Sequence, residues 1–475
     1  MNNKKIVSSL LYKFTEKVLV KAIGFVIGVI LARLLDPEIF GIVAIITAVV
    51  AIAQVFVDSG LSTALVQSKS VTEGDYSTIF YISFGVALVA YLLIFLLTPV
   101  IAHYYHIEAY TTQLRVLTAT LFFYAFNSIQ TAKLQREMAF RKMLVCQLVA
   151  VVVSGCVGIV LAYWGYGVWA LIFYYLSSSA AACITYAVAA RWHPRLTFSL
   201  SGAKKMVNYS YKILLSGLLC SLFANLRTFV IGRIYTKAEL GVYSRGDQIP
   251  SVISSSIDSA FHAVMLPAFS KEQDNFSKVK DLLSKTIIFD SILIFPAMLG
   301  LASVAKNLVL VLYTAKWSAA IPFIQILSLA YIGNPVASPC LVAIKAIGRS
   351  DVYLKLETVR RIVMLVILFA SLLFHSLIAI AIGWLLSSVV DMFIIMIPVS
   401  RLLHYSFGDM WKDIKAPLFI SISMVICVLV IGKLPLSPLP LLILQILGGV
   451  IVYLGASLLF MPQILKTAVS LIRKK

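Results

Sequence analysis

Seven basic residues of this 475-residue chain lie inside long apolar stretches rather than between them. A charged side chain within a spanning helix costs about 2.5–3.5 kcal/mol on insertion scales, so it generally faces water, a partner or a substrate. We predict that these side chains form a hydrated cavity for an anionic group: Lys17, Lys21, Arg33, Lys212, Arg227, Arg233 and Arg245. The alternative is that Lys17, Arg33 and Arg233 extend to the membrane surfaces.

A stripe of polar residues follows one face of the apolar segment at residues 241–268. Its members are spaced by four, three, four, three and four residues, which places them on one side of a helix: Ser244, Gln248, Ser251, Ser255, Asp258 and His262. So long a polar face is not expected to contact lipid. We therefore add Gln248, Ser255 and His262 to the predicted cavity, although a lone histidine is more often a packing residue than a proton relay.

Five acidic residues also lie within apolar stretches. Asp58, Asp247 and Asp258 are interpreted as structural partners of the cations. Asp290 and Asp391 stand alone in apolar surroundings and are candidate coupling sites. No metal site is predicted, because the six cysteines have no CxxC spacing and fall within apolar stretches.

The elements that must position these residues are membrane spans. Hydrophobic residues make up 61% of the chain and charged residues 13%, about half the charged fraction of a soluble domain. A spanning helix needs roughly 20 apolar residues. The pattern predicts an all-α polytopic membrane protein of about 14 helices, near residues 14–35, 41–66, 77–101, 112–131, 143–163, 167–190, 206–235, 241–268, 282–304, 319–343, 359–374, 376–398, 417–432 and 441–461.

The distribution of basic residues predicts the orientation of these spans. With the N-terminus in the cytoplasm, 28 of the 40 Lys and Arg residues fall on the cytoplasmic side and 5 on the opposite side. This bias follows the positive-inside rule and places both termini in the cytoplasm. It also accounts for most of the net charge of +20 through the anionic lipid surface, without a nucleic-acid partner.

An internal repeat appears at an offset of 200 residues. LARLLDPEIFG at 31–41 aligns without a gap on IGRIYTKAELG at 231–241, and VDS at 57–59 aligns on IDS at 257–259. Six helices separate the copies, so both enter the membrane in the same direction. We predict two six-helix lobes, residues 1–200 and 201–405, related by a parallel pseudo-repeat, and two appended helices with a basic cytoplasmic tail at 406–475.

Several function classes lack their sequence signals. There is no GxxxxGK[ST] phosphate loop, so ATP is not expected to drive the protein directly. No large loop contains paired carboxylates or a nucleophile beside a base, which disfavours an enzyme. We expect no cofactor, and coupling to protons, sodium or the membrane potential.

Three segments resemble a known family of transporters. GFVIGVILARLLDPEIFGIVAI at 24–45, FVDSGLSTALVQ at 56–67 and NLRTFVIGRIYTKAELGVYSRGDQIP at 225–250 are similar to the Wzx-type polysaccharide transporters. The likeness is greatest to the branch of colanic acid and teichuronic acid exporters. This family shares a superfamily with multidrug extruders and lipid II flippases. Arg33, Arg233 and Asp258 lie in the matching motifs.

The resemblance implies a flippase that moves an undecaprenyl-diphosphate-linked oligosaccharide from the inner to the outer leaflet of the bacterial cytoplasmic membrane. Its product would serve the synthesis of O-antigen, capsule or exopolysaccharide. The implied partners are this lipid-linked glycan, the bilayer and other polysaccharide assembly proteins, and helices thirteen and fourteen would form a groove for the lipid tail. The alternatives are a multidrug-type efflux carrier and, with less support, a membrane polysaccharide polymerase.

Overall fold

The computed structural model of the protein describes residues 3–58, 60–68, 71–197 and 200–461. Side chains are described for these residues except 3–18, 200–209, 212, 263 and 264. All regular secondary structure in these residues is helical, which confirms the predicted all-α class. The chain divides into two compact units, Met1–Ser244 and Arg245–Lys475. The lobe boundaries predicted from the sequence stay a prediction.

Among the described residues, nine α-helices lie wholly in the first unit, and a short 3₁₀ turn at Glu108–Tyr110 precedes the fifth. They are α1 (Asn3–Leu34), α2 (Pro37–Asp58), α3 (Leu61–Gln67), α4 (Glu73–Tyr105), α5 (Thr111–Thr118), α6 (Thr120–Arg136), α7 (Phe140–Tyr163), α8 (Val168–Ala190) and α9 (Leu200–Ile234). Within this unit, α1 packs on α7, α7 on α8, α4 on α6, and α2 on α9.

The division between the units falls within α10 (Lys237–Lys271). The remaining helices of the second unit are α11 (Phe276–Leu312), α12 (Ile321–Ala330), α13 (Asn334–Ala346), α14 (Ser350–Leu372), α15 (Leu377–Leu403), α16 (Phe407–Ile431) and α17 (Pro438–Phe460). Here α11 packs on α13, α16 and α17, while α14 packs on α15. The apolar core of this unit lies between α11, α13, α15 and α16.

Every predicted span coincides with helical structure, but three of them are not single helices. Span 41–66 divides into α2 and α3, span 112–131 into α5 and α6, and span 319–343 into α12 and α13 around a 3₁₀ turn at Tyr331–Gly333. Apolar composition, from which the spans are predicted, does not report local backbone breaks of this kind.

The described residues contain eleven helical segments that are long and apolar enough to cross a membrane, by length and composition. Apolar side chains also face outward. On α17, Ile451, Leu459 and Phe460 are each at least 70% exposed. So much exposed apolar surface requires a lipid environment. The chain is a multi-pass membrane protein, and the number of fourteen spans stays a prediction.

Helix ends repeat at the predicted offset. α1 ends at Leu34 and α9 at Ile234, while α2 begins at Pro37 and α10 at Lys237. The basic residue in the last turn is Arg33 in one copy and Arg233 in the other. The structure thus confirms the offset of 200 residues.

Two glycines of the repeat bring the starts of α2 and α10 together within the first unit. A Cβ atom on Gly41 would lie 1.7 Å from the Lys237 carbonyl oxygen, and one on Gly241 would lie 1.9 Å from the Pro37 carbonyl oxygen. Both distances are far below van der Waals contact. Only glycine permits this approach of the two backbones.

Candidate functional site

A cavity of about 510 Å³ lies beside the C-terminal end of α2 in the first unit. Asp58 is the last residue of α2 and lines this cavity. α3 and α6 provide most of the other polar side chains, and α9 closes one side with Ile213, Leu214 and Gly217. The cavity thus has one polar wall and one apolar wall.

The break between α2 and α3 shapes this cavity. Gly60 has a φ of 70°, a left-handed conformation that favours glycine, and it turns the chain from α2 into α3. A Cβ atom at this position would lie 2.8 Å from the Ile213 Cβ atom. At the other end of α3, Arg136 donates to the carbonyl oxygens of Leu65 and Ser68, each at 2.6 Å. A cation at a helix C-terminus is favourable, so Arg136 holds α3 in place.

An apolar groove of about 600 Å³ borders the same helix α2. Its lining comes from α2 and α4, with one side chain from α9: Val49, Ile52, Ala53, Phe56, Tyr81, Ile82, Gly85, Val86, Val89, Ala90, Leu93, Ile94 and Phe229. Phe56 and Val89 are exposed, so the groove opens to the surroundings of the unit. One helix therefore borders both a polar cavity and an apolar groove.

Two of the predicted cavity arginines lie on α9 and contact aromatic rings. The Arg227 Nη1 atom donates to the Tyr243 hydroxyl at 2.8 Å. The Arg233 Nη1 atom donates to His106 Nε2 at 2.6 Å, and its guanidinium lies 4.8 Å from the centroid of the Tyr104 ring. This arrangement requires His106 to be unprotonated at Nε2. The two arginines are thus held at different places in the first unit.

The other predicted cations of the first unit lie on α1 and α9. Lys21 is half-buried on α1, and Arg33 is exposed at its end. The side chain of Lys212 lies outside the described residues. Glu108, in the 3₁₀ turn between α4 and α5, has its pKa lowered by a backbone hydrogen bond and by the His103 side chain. In the described part of the chain, no group of three or more His, Cys, Asp or Glu residues could hold a metal ion.

A ladder of three hydrogen bonds joins α10 to the segment 331–338 in the second unit. The pairs are Tyr331 Oη to Asp247 Oδ1 at 3.1 Å, Asn334 Nδ2 to Ser254 Oγ at 2.8 Å, and Ser338 Oγ to Asp258 Oδ1. The spacing of the ladder residues matches one face of each helical segment. Two predicted acids, Asp247 and Asp258, thus bind hydroxyl groups here.

His262 extends the last rung of this ladder. Its Nε2 atom lies 2.8 Å from Ser338 Oγ and 3.5 Å from Asp258 Oδ2. Because the Ser338 hydroxyl donates to Asp258, the His262 Nε2 atom must be the donor toward Ser338. The three side chains form a continuous path of hydrogen bonds, half-exposed at His262.

The remaining predicted residues of α10 and α11 have separate surroundings. Arg245 is buried, and its Nη1 atom donates to the Gln248 side chain one turn away. Ser255 is exposed, with its hydroxyl directed at the Val252 carbonyl oxygen at 3.3 Å. Asp290 is 2% exposed, and its Oδ1 atom makes no hydrogen bond to the described residues.

Asp391 was predicted to stand alone, and this is wrong. Arg360 on α14 donates to Asp391 Oδ2 at 2.9 Å and to Glu357 Oε1 at 2.6 Å. Arg360 and Asp391 line a small cavity of about 130 Å³ with Tyr331. In the sequence, Arg360 lies among the cytoplasmic charges at the edge of a span. No pattern there indicates that its partner is Asp391, 31 residues later.

Several side chains that contact the predicted residues, or line a cavity with them, were not predicted from the sequence. Tyr331 and Ser338 bind the acids Asp247 and Asp258 of α10, and Asn334 binds Ser254 of the same helix. Ser128 and Gln135 line the cavity beside Asp58. Their spacing of three, four and seven residues on amphipathic segments was the available signal. Chemically, these arrangements can bind polar and anionic groups and transfer protons.

Comparisons with known proteins agree with this architecture. A lipid II flippase MurJ in an inward closed conformation matches with a TM-score of 0.78 and 14% identity, over 97% of this chain and all of that one. An inward-facing multidrug resistance MATE family transporter matches with a TM-score of 0.61 and 16% identity, over 84% of this chain and 96% of that one. At such identities these likenesses show the fold alone.

Sequence relatives cover most of the chain. The lipopolysaccharide biosynthesis protein WzxC of Escherichia coli (strain K12) is 25% identical over 70% of this chain and 69% of its own length. The teichuronic acid biosynthesis protein TuaB of Bacillus subtilis (strain 168) is 25% identical over 78% of this chain and 77% of its own. These matches confirm the predicted likeness to Wzx-type transporters. The sequence model of the polysaccharide biosynthesis protein family matches residues 30–322, more than half of the chain, and the protein therefore belongs to that family.

Proposed function

We propose that the protein is a flippase that moves a polyprenyl-diphosphate-linked oligosaccharide across the bacterial cytoplasmic membrane, with both termini in the cytoplasm. It acts as a transporter rather than an enzyme, in the synthesis of a surface polysaccharide together with other assembly proteins. Its family membership supports this class, and relatives such as the succinoglycan biosynthesis transport protein ExoT of Rhizobium meliloti (strain 1021) carry transport in their names. Drug efflux and polymerisation have less support.

One structural observation supports an amphiphilic substrate. α2 borders a polar cavity at Asp58 and an apolar groove at Phe56. A lipid-linked sugar needs both environments, because each unsatisfied polar group in hydrocarbon costs several kcal/mol while the isoprenoid chain favours an apolar surface. Within a single compact unit, the glycan would occupy the polar cavity and the tail the groove.

Arginines supply the complementary charge for a diphosphate. Arg227 is half-buried and oriented by the Tyr243 hydroxyl, and the guanidinium fork suits phosphate oxygens. We assign the diphosphate to the set of predicted cations that includes Lys21, Arg227 and Arg233. Hydrogen bonds from charged donors to phosphate oxygens are shorter and stronger than hydrogen bonds between neutral groups.

Leaflet-resolved analysis of the substrate tests the function. After depletion of the protein in its host, polyprenyl-diphosphate sugars should accumulate in the cytoplasmic leaflet. Restoring the protein should clear them. If depletion leaves the distribution between leaflets unchanged, the protein does not flip these lipids.

Reversing the charge of Arg227 should strongly reduce transport without preventing insertion. For Arg227→Glu we expect at least about a tenfold loss of export, because a charge-assisted hydrogen bond contributes about 1.5–3 kcal/mol. The measurement is polysaccharide export at matched levels of protein in the membrane. Tyr243→Phe is the matched control, since it removes the hydroxyl that orients Arg227 and keeps the charge; an equal loss in both variants would assign Arg227 a structural role.

We propose that the membrane potential drives the outward step. An inside-negative potential favours outward movement of negative charge by about 2.3 kcal/mol per charge for each 100 mV. Flipping in proteoliposomes should therefore accelerate when a potassium diffusion potential makes the compartment at the cytoplasmic face of the protein negative. No pH or sodium gradient is applied in this experiment. A rate that responds to a pH gradient alone would instead assign the drive to protons, with Asp258 and His262 as the first residues to replace.

A further inference from the structure

The cavity beside Asp58 contains the chemistry of a sugar site. Its polar lining consists of one carboxylate, four hydroxyls and two amides, from Asp58, Ser62, Thr63, Ser128, Thr131, Gln67 and Gln135. No lysine or arginine belongs to the described lining. A volume of about 510 Å³ lies in the range of small-molecule sites, roughly 300–1,000 Å³.

Several of these groups retain hydrogen-bonding capacity. The hydroxyls of Ser128 and Thr131 donate to carbonyl oxygens of their own helix, at 2.9 and 2.8 Å, and keep acceptor lone pairs. Considering the described residues only, the side chains of Asp58 and Gln135 have no hydrogen-bond or ion-pair partner. Together they offer acceptors at Asp58 and both donors and acceptors at Gln135, which is what sugar hydroxyls require.

Charge decides which substituents this cavity accepts. The Asp58 carboxylate, with no described cation in the lining, disfavours a second negative group at short range. A diphosphate or the carboxylate of a uronic acid is therefore a poor occupant. An uncharged sugar meets no such repulsion.

We propose that this cavity binds an uncharged sugar of the lipid-linked glycan, with Asp58 and Gln135 as the specificity-determining residues. The inference rests on the proposed function. Two parts of the substrate are thereby assigned to different places: the cavity at the junction of α2 and α3 recognises sugar hydroxyls, and the diphosphate binds outside this cavity. Asp58 accepts from two neighbouring hydroxyls of the sugar ring, and Gln135 bridges the ring from the α6 side.

Binding of defined lipids to the purified full chain tests this proposal. The probes are a short polyprenyl diphosphate without sugar and the same lipid carrying glucose, galactose, N-acetylglucosamine or glucuronic acid, measured by calorimetry in detergent micelles. We expect at least one uncharged sugar to bind about tenfold more tightly than the bare lipid. The glucuronic acid compound should gain nothing over the bare lipid.

Two substitutions separate recognition from folding. Asp58→Asn should bring the affinity for the glucuronic acid compound to within about threefold of that for the glucose compound, since the repulsion is gone. Gln135→Ala should weaken the preferred uncharged sugar about tenfold. Neither should change binding of the bare lipid. Asp274→Asn, at an exposed acid between α10 and α11, is the matched control and should behave as the wild-type chain.

The possible outcomes distinguish this inference from the function on which it rests. If the wild-type chain binds the bare lipid but no uncharged sugar adds affinity, the sugar site is refuted and the flippase function stands. If both variants lose all lipids equally, or neither changes the preference among sugars, the site is also refuted. If the wild-type chain binds none of the lipids, the proposed function itself fails.

Discussion

Replacing Arg360 with methionine is expected to lower the free energy of unfolding by about 3–5 kcal/mol. The side chain of Arg360 is 17% exposed and binds Glu357 and Asp391, whose side chains are 22% and 25% exposed. Without the Arg360 guanidinium, the carboxylates of Glu357 and Asp391 lose the cation that they share in a partly buried place, and their repulsion destabilises the folded state. Denaturant titration of the purified protein in mixed micelles measures the change.

The neighbouring Arg361 provides the control for this prediction. Its side chain is 38% exposed and lies 3.4 Å from Glu357, so Arg361→Met should cost less than about 1 kcal/mol. Adding Asp391→Leu to Arg360→Met should recover part of the loss, because an uncompensated charge is removed. Equal costs for Arg360→Met and Arg361→Met would contradict the importance of the partly buried ion cluster.

The second large effect is expected at the glycines where α2 and α10 begin. Gly41→Ala should destabilise the protein by about 1–3 kcal/mol, because the new methyl group meets the Lys237 carbonyl oxygen and overpacking has costs of this size. Gly241→Ala should act similarly through the Pro37 carbonyl oxygen. Thermal unfolding in detergent, followed by loss of the folded peak in size exclusion, measures both.

Gly85 in α4 is the matched control, because a Cβ atom there meets nothing within 4 Å. Gly85→Ala should be neutral or stabilising by up to about 1 kcal/mol, since alanine favours a helix over glycine. The variant with alanine at both 41 and 241 should cost less than the sum of the single changes, because one separation of the helices relieves both clashes. Additive costs would show that the two contacts are independent.

Features encoded over many residues could be predicted from the sequence. Apolar stretches of helix length located the spans, and the offset of 200 residues located the paired ends of α1 and α9. Both signals average over about 20 positions, so single polar residues do not obscure them. The acids within the spans were likewise visible, since charge in an apolar stretch is expensive.

Features that depend on one backbone angle or on distant partners could not be predicted. The break at Gly60 depends on a single positive φ value, which apolar periodicity does not report. The cluster of Arg360 and Asp391 joins two helices through a contact between residues 31 positions apart. Asp58 was interpreted as a structural partner of the cations, whereas its cavity depends on side chains of α6 that packing alone brings close.

The reciprocal contact of Gly41 and Gly241 also bears on the origin of the chain. Residue 41 meets residue 237 as residue 241 meets residue 37, which is the pattern of an isologous interface between identical subunits. In a precursor with one copy of the repeat, a single glycine in two subunits would have made both halves of this contact. Fusion of two such copies would preserve the interface and allow each copy to change separately. The copies now differ, because the helix of the first copy ends at Asp58 whereas α10 of the second copy continues to Lys271.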